Sequence, residues 1–277
     1  MRASGQLERP DHDPRGEGAR GRVPGAAPRA PAGPAVQLEG VGKAFNAVPV
    51  LQGLDLEIPR GGTVTVMGGS GSGKTVLLRL TAGLIKPDRG RIRTLGVDIT
   101  PLREEALLPV RRRMGYVFQG AALFDSLTVY ENVAYPLREH ASLSEPEVAE
   151  RVHRLLARVG LHDVDAKLPA ELSGGMRKRV GIARALVLGP ELVLYDEPTA
   201  GLDPTNARLI TELVESLRAE GASETAMVVT HDLEFARSVS DLIAVLIDGR
   251  IAEIGPAEAL LHSAQPAVQA FLTGEVR

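Results

Sequence analysis

From Val36 onward the apolar residues fall into short separate runs, and the length and spacing of each run decide what it can form. Val36–Leu38, Leu54–Ile58 and Thr63–Met67 have the length and β-branched content of strands, and the third leads directly into a glycine-rich loop. A helix is predicted over Lys74–Ala82, directly after that loop. Further strands are expected at Arg91–Thr94, Gly115–Phe118, Leu192–Asp196, Ala226–Thr230 and Leu242–Ile247. Asp248 and Gly249 then form a two-residue hairpin signal leading into Arg250–Ile254. Between Gln119 and Leu172 the period changes. Ser144 and Glu147 read as a capping box with Pro146 in the first turn, and Val148, Val152, Leu155, Leu156 and Val159 continue at helical spacing. Strands alternating with helices predict an α/β core with a parallel sheet, and the helical stretch reads as a subdomain inserted in it.

Composition narrows this picture. Aromatic residues are only 3% and Trp is absent, so the core must be built from Leu, Val, Ile and Ala. Residues 1–34 are rich in Pro, Gly, Ala and Arg and poor in large apolar side chains; such a segment is expected to be disordered, and without an apolar stretch it does not read as a secretory signal. No apolar run approaches the roughly 20 residues needed to cross a bilayer, so a membrane span is not expected. The net charge of -3, with no long basic run beyond the first few dozen residues, does not suggest a nucleic-acid partner. The absence of Cys excludes disulfides, thiolate nucleophiles and Cys-ligated metals together. His140, His153, His162 and His262 show no metal-ligand spacing, and Arg151, Arg154 and Arg158 read as a solvated helix face.

The first chemistry lies in the glycine loop. Gly68, Gly69, Ser70, Gly71, Ser72, Gly73, Lys74 and Thr75 match the pattern G-x-x-x-x-G-K-[ST] in full, with an apolar strand before and a helix after. Glycines let successive backbone N–H groups curl around a phosphate, and the helix N-terminus adds the positive end of its dipole. Lys74 supplies a point charge to the β- and γ-phosphates, and the Thr75 hydroxyl can ligate Mg2+. The apolar strand Leu192–Asp196 ends in Asp196 and Glu197. Asp196 is placed to hold Mg2+, and Glu197, one residue on, to polarise an attacking water. A second anion site is expected where Ser173, Gly174 and Gly175 precede a helix through Lys178 to Leu188.

Leu172, Ser173, Gly174, Gly175 and Met176 resemble the signature sequence of the ABC-type ATPases, and the other motifs of that family stand in its order over roughly residues 36–255. Gln119 resembles the Q-loop glutamine, Pro198 to Asp203 the D-loop region, His231 the switch histidine, and Phe45 the aromatic that stacks on adenine. The resemblance implies an ABC-type nucleotide-binding domain over residues 35–255, with an antiparallel β subdomain and a helical subdomain at about 120–175, followed by a C-terminal helical segment at 256–277. It implies an ATPase with ATP and Mg2+ as cofactors. Glu197, His231 and Gln119 would be the catalytic residues, and Thr75, Gln119 and Asp196 would serve the metal. Nucleotide contacts would come from Phe45, the loop Gly68–Thr75 and Val76. Ser173 and Gly175 would contact the γ-phosphate held by a second copy, in a homodimer formed head to tail on ATP, and Gly174 and Asp203 would also belong to the nucleotide-binding residues.

The segment Phe118 to His140 and the stretch Leu172 to Val180 further resemble the ATPase of Mla-type phospholipid transport systems, as does Gln265 to Gly274. This implies an integral membrane permease as partner, with an MCE-domain protein and a small accessory subunit, at the cytoplasmic face of the inner membrane. Leu123, Phe124, Leu127 and Tyr130 would belong to the groove that receives a helix of the permease. Met176 after the two glycines also occurs in osmoprotectant importers, so a small-solute importer is the alternative. An ABC ATPase acting on DNA or the ribosome is disfavoured, because one cassette is present and only residues 120–172 separate Gln119 from Ser173.

Overall fold

The computed structural model describes residues 33–221 and 225–274; the expected tail lies outside these apart from residues 33 and 34, and residues 275–277 of the expected C-terminal segment also lie outside. β1 (Val36–Phe45) and β2 (Val48–Ile58) form an antiparallel hairpin around Asn46 and Ala47, both left-handed at φ 49° and 64°. β4 (Arg89–Thr94) pairs with the other edge of β1, and β5 (Val97–Asp98) completes a sheet in the order β2-β1-β4-β5. The first two strands are longer than the apolar runs predict. Gly40, Gly42 and Gly53 interrupt the alternation, and the β1–β2 ladder continues past Gly40 and Gly42 through register shifts between Leu38 and Val41 and between Val41 and Gly42.

The second sheet has the order β10-β9-β3-β8-β7-β6. It comprises β3 (Thr63–Gly68), β6 (Met114–Val117), β7 (Leu192–Asp196), β8 (Thr225–Thr230), β9 (Leu242–Ile247) and β10 (Arg250–Gly255). All pairings are parallel except β10 on β9, whose hairpin turns at Asp248 and Gly249, with φ 48° and 72° as the dipeptide predicts. Every residue of β3, β7 and β8 is buried, as expected of parallel strands covered on both faces. Successive residues of β7 serve opposite cores. Leu192 and Leu194 pack with Val64, Leu77, Leu38 and Ile92 beneath the antiparallel sheet, whereas Val193 and Tyr195 join the helical side.

The helices are α1 (Lys74–Thr81), α2 (Glu104–Arg111), α3 (Val129–His140), α4 (Glu145–Arg158), α5 (Gly174–Leu186), α6 (Pro204–Ala219), α7 (Leu233–Val239), α8 (Ala257–Leu260) and α9 (Pro266–Thr273). α3, α4 and α5 form the helical subdomain, packed through Val133, Val152 and Ile182. Its entrances are capped. The Thr128 hydroxyl accepts from the Glu131 N–H, and the Glu147 carboxylate accepts from the Ser144 N–H at 2.7 Å. α5 begins four residues before the helix read from its apolar pattern, because Ser173 caps it with its hydroxyl and admits both glycines into the first turn. α8 and α9 cover the outer end of the parallel sheet through Leu260 and Val268.

Candidate functional site

β3 delivers the chain into the phosphate loop with no room for side chains. A Cβ on Gly68 would lie 2.5 Å from the Ser72 hydroxyl oxygen and 2.7 Å from the Leu246 carbonyl oxygen. Gly71 and Gly73 adopt φ 76° and 104°, a region that L side chains rarely enter. Gly73 is the N-cap of α1 and offers no side-chain cap, so the first N–H groups of the helix point into the loop with no side chain from the cap residue to bond them. Lys74, buried at 8% exposure, folds back into the same loop: its ammonium donates to the carbonyls of Gly68 at 2.8 Å and Gly69 at 3.1 Å, and stands 3.4 Å from the Glu197 carboxylate.

The parallel pairing of β7 with β8 sets Asp196 opposite Val229, which brings the residues following each strand together. The Thr75 hydroxyl donates to Asp196 at 2.9 Å, and the Tyr116 hydroxyl to its other oxygen at 3.3 Å. Burial pushes the Asp196 carboxyl above its ordinary range, against the pull of those two hydroxyls. Glu197 sits at φ 46°, a left-handed backbone costing about 1–2 kcal/mol in a residue with a side chain. Its N–H is tied to the Val229 carbonyl at 2.9 Å and its carboxylate lies 2.9 Å from His231 Nδ1, while the imidazole itself is mostly exposed. Gln119, Glu197 and His231 line one cavity of about 630 Å³ together with Ser70 to Val76. Phe45 does not line this cavity. It stands 45% exposed at the tip of the β1–β2 hairpin, so it is not a core residue as the buried Val41 is.

Ser173, Gly174, Gly175 and Asp203 are assembled elsewhere. Gly175 packs so closely on α6 that a Cβ there would be 2.5 Å from Asn206 Oδ1, and Gly174 faces Leu202. Asp203 caps α6, accepting from the Thr205 and Asn206 N–H groups at 3.1 Å. Two helix N-termini therefore meet in one patch, where Ser173, Gly174 and Asp203 are exposed and Gly175 is buried, and none of the four lines the cavity around Lys74. The patch is open at Ser173, which is exposed.

Two contacts escape a linear reading of the sequence. Tyr116 reaches Asp196 only because β6 lies beside β7, and burial pushes its hydroxyl well above its usual range. Lys178, buried on α5, donates to the Glu197 backbone carbonyl at 3.0 Å. The alternation of β6 and the unusual placing of a lysine among apolar helix positions were the signals available. Past Gln119 the chain turns through Ala121 and Ala122 at φ 62° and 48°, and the Arg184 guanidinium of α5 donates to both of their carbonyls. Beyond lies a second cavity of about 430 Å³ between α2, β6, α3 and α5, lined by Leu108, Phe118, Phe124, Tyr135 and Leu188. Phe124 faces this groove. Leu123 and Tyr130 pack against the helical core instead. His153 is paired with Asp165, and no cluster of His, Asp or Glu able to hold a metal occurs among the described residues.

Residues 51–200 match the model of the family described as ABC transporter. The chain is 40% identical over 246 residues to the "Probable ribonucleotide transport ATP-binding protein mkl" of Mycobacterium leprae (strain TN), covering 89% of this chain and 71% of the relative. It is also 40% identical over 225 residues to the intermembrane phospholipid transport system ATP-binding protein MlaF of Escherichia coli (strain K12), covering 81% of this chain and 83% of that one. Among solved structures, the dimeric structure of MJ0796, a bacterial ABC transporter cassette, superposes with a TM-score of 0.75 at 33% identity, covering 80% of this chain and 98% of the cassette.

Proposed function

The chain belongs to the ABC transporter ATP-binding family and is an ATPase; on that premise we propose that it powers phospholipid transport of the Mla type through a separate membrane permease. The observation that carries the reading is the division of the nucleotide machinery into two groups, an open cavity around the buried Lys74 and a separate patch exposed at Ser173. Two copies arranged head to tail, in keeping with the dimeric solved cassette, bring the patch of each onto the nucleotide of the other. No helix among the described residues is long and apolar enough to cross a membrane, which suits peripheral attachment to the inner face through the permease.

In this reading Phe45 stacks on adenine while the amides of Gly68–Thr75 and Lys74 hold the β- and γ-phosphates. Thr75, Asp196 and Gln119 present oxygen donors, the ligand type a hard cation takes, and would hold Mg2+, which supplies neutralisation of phosphate charge when bound. Glu197 accepts the proton of the attacking water, and His231, already 2.9 Å from that carboxylate, positions it against the γ-phosphate. Ser173, Gly174, Gly175 and Asp203 close the site from the second copy. The phospholipid assignment is supported by the relatives named MlaF and by the similarity of residues 118–140 to that group. The equally similar mkl protein is named for ribonucleotides, so cargo is the part to test. Tagged chain purified from detergent-solubilised membranes should bring a permease, an MCE-domain protein and phospholipid. Recovery of a solute-binding importer, or of a complex that moves nucleotides and not lipid, would overturn it.

A further inference from the structure

Glu197 is held at three points besides its carboxylate: by φ 46°, by its N–H on Val229, and by its carbonyl, which accepts both the Ala200 N–H at 3.2 Å and the Lys178 ammonium at 3.0 Å. The last of these comes from the signature helix. Lys178 is 6% exposed, and among the described residues it forms no ion pair; burial lowers its ammonium from its usual range despite the nearby charges of Asp196 and Glu197. A desolvated cation bonded to one backbone carbonyl is an expensive way to fill a core position, and an apolar side chain would pack there without that cost. Its particular capacity is reach from α5 to the main chain of Glu197.

The same helix begins at Ser173, five residues and about 7.5 Å before Lys178. A rigid helix joins those two points, one exposed at the patch and one fastened to the residue that attends this chain's own nucleotide.

We infer that Lys178 is a positioning residue that fixes the main chain of Glu197 and passes to it the position of the signature helix, so that nucleotide bound by the second copy sets the geometry of hydrolysis in this one. The inference rests on the head-to-tail reading above. In each copy, α5 receives the partner's γ-phosphate at its N-terminus, and the Lys178 contact translates any shift of the helix into a shift of Glu197. Positioning errors of an ångström at a reacting group cost up to about 10²-fold in rate.

The test compares full-length wild type with Lys178→Met, of similar length without a donor, and Lys178→Gln, a neutral donor. For Lys178→Met the expected result is a fall in kcat of roughly 10- to 100-fold with KM for ATP within about twofold, a Hill coefficient moving towards one, and a melting midpoint no lower than wild type. Lys178→Gln should recover most of kcat and of the Hill coefficient. A filler role predicts something else: a lower melting midpoint with kcat and cooperativity intact in the folded protein. That result, or Lys178→Gln behaving as Lys178→Met, overturns the assignment. Light scattering on Glu197→Gln with ATP separates the two levels. No ATP-dependent dimer sinks the head-to-tail reading together with this inference, whereas a dimer alongside unchanged Lys178→Met kinetics sinks the inference alone.

Discussion

The surroundings of Lys74 and those of Ser173 are built from similar parts, glycines leading into a helix N-terminus, yet they end in opposite states. Around Lys74 the polar groups converge. The ammonium rests on two loop carbonyls, Thr75 on Asp196, and Glu197 on His231, all in or beside one cavity. At Ser173 the glycines pack against Asn206 of α6 and against Leu202 before it, and the helix N-terminus faces outwards with only its own cap to occupy it. One region is a site lacking a wall, and the other is a wall lacking a site. Their separation within a single chain is the physical case for pairing two chains, since an anion bound in one place gains a second set of helix N–H donors only from another copy.

Substitutions should tell the two regions apart, and the largest effect belongs to the first. Glu197→Gln should cut turnover on the order of 10²- to 10⁴-fold while leaving ATP affinity nearly unchanged, because proton acceptance is lost and geometry kept. Lys74→Ala, in the same cavity, should weaken nucleotide binding itself. Equilibrium binding and single-turnover hydrolysis, measured separately, check both; normal turnover in Glu197→Gln would remove it from the base role.

Gly174→Asp, at an exposed glycine where an added Cβ meets only Leu202 at 3.5 Å, should reproduce the loss of turnover, on the order of 10²-fold, without the loss of binding. A carboxylate there would confront the γ-phosphate of the second copy, while the Lys74 cavity of its own chain stays intact. Weaker ATP binding by the isolated monomer would blur the distinction between the two regions. A third, smaller effect lies at the groove. Phe124→Glu should leave ATPase activity of the isolated chain unchanged and weaken permease capture by about 2 kcal/mol or more, as loss of a buried aromatic anchor does. Leu123→Glu should instead destabilise the fold, since that side chain packs into the helical core. The smallest effect on stability belongs to Ser173→Ala, which removes the hydroxyl that caps α5 and should cost about 1 kcal/mol, read from denaturant unfolding of the isolated chain, beside the loss of its contact with the second copy's nucleotide.

The two regions also differed in how far they could be read from the chain. The phosphate loop is contiguous, with strand, glycines, lysine and helix in one stretch, so its local geometry follows from local sequence. The Asp248-Gly249 hairpin and the Ser144–Glu147 box were legible for the same reason. Asn46 and Ala47 form a tight turn with an alanine in left-handed backbone, which no turn rule favours, and the apolar runs of β1 and β2, broken by glycines, stop short of it. Tyr116 and Lys178 leave only weak signals in the chain, because their partners are fixed by sheet order and helix packing. Lys178 bonds a backbone carbonyl, which leaves no complementary side chain in the sequence to find.

The most direct test of the division is the mass of the Glu197→Gln chain in solution, with and without ATP and Mg2+. Slowed hydrolysis should hold the nucleotide in place and light scattering should show the mass double on adding ATP. Adding Gly174→Asp to the same chain should abolish the doubling while ATP still binds the monomer. A chain that stays monomeric under ATP, or a dimer indifferent to Gly174→Asp, would contradict the account.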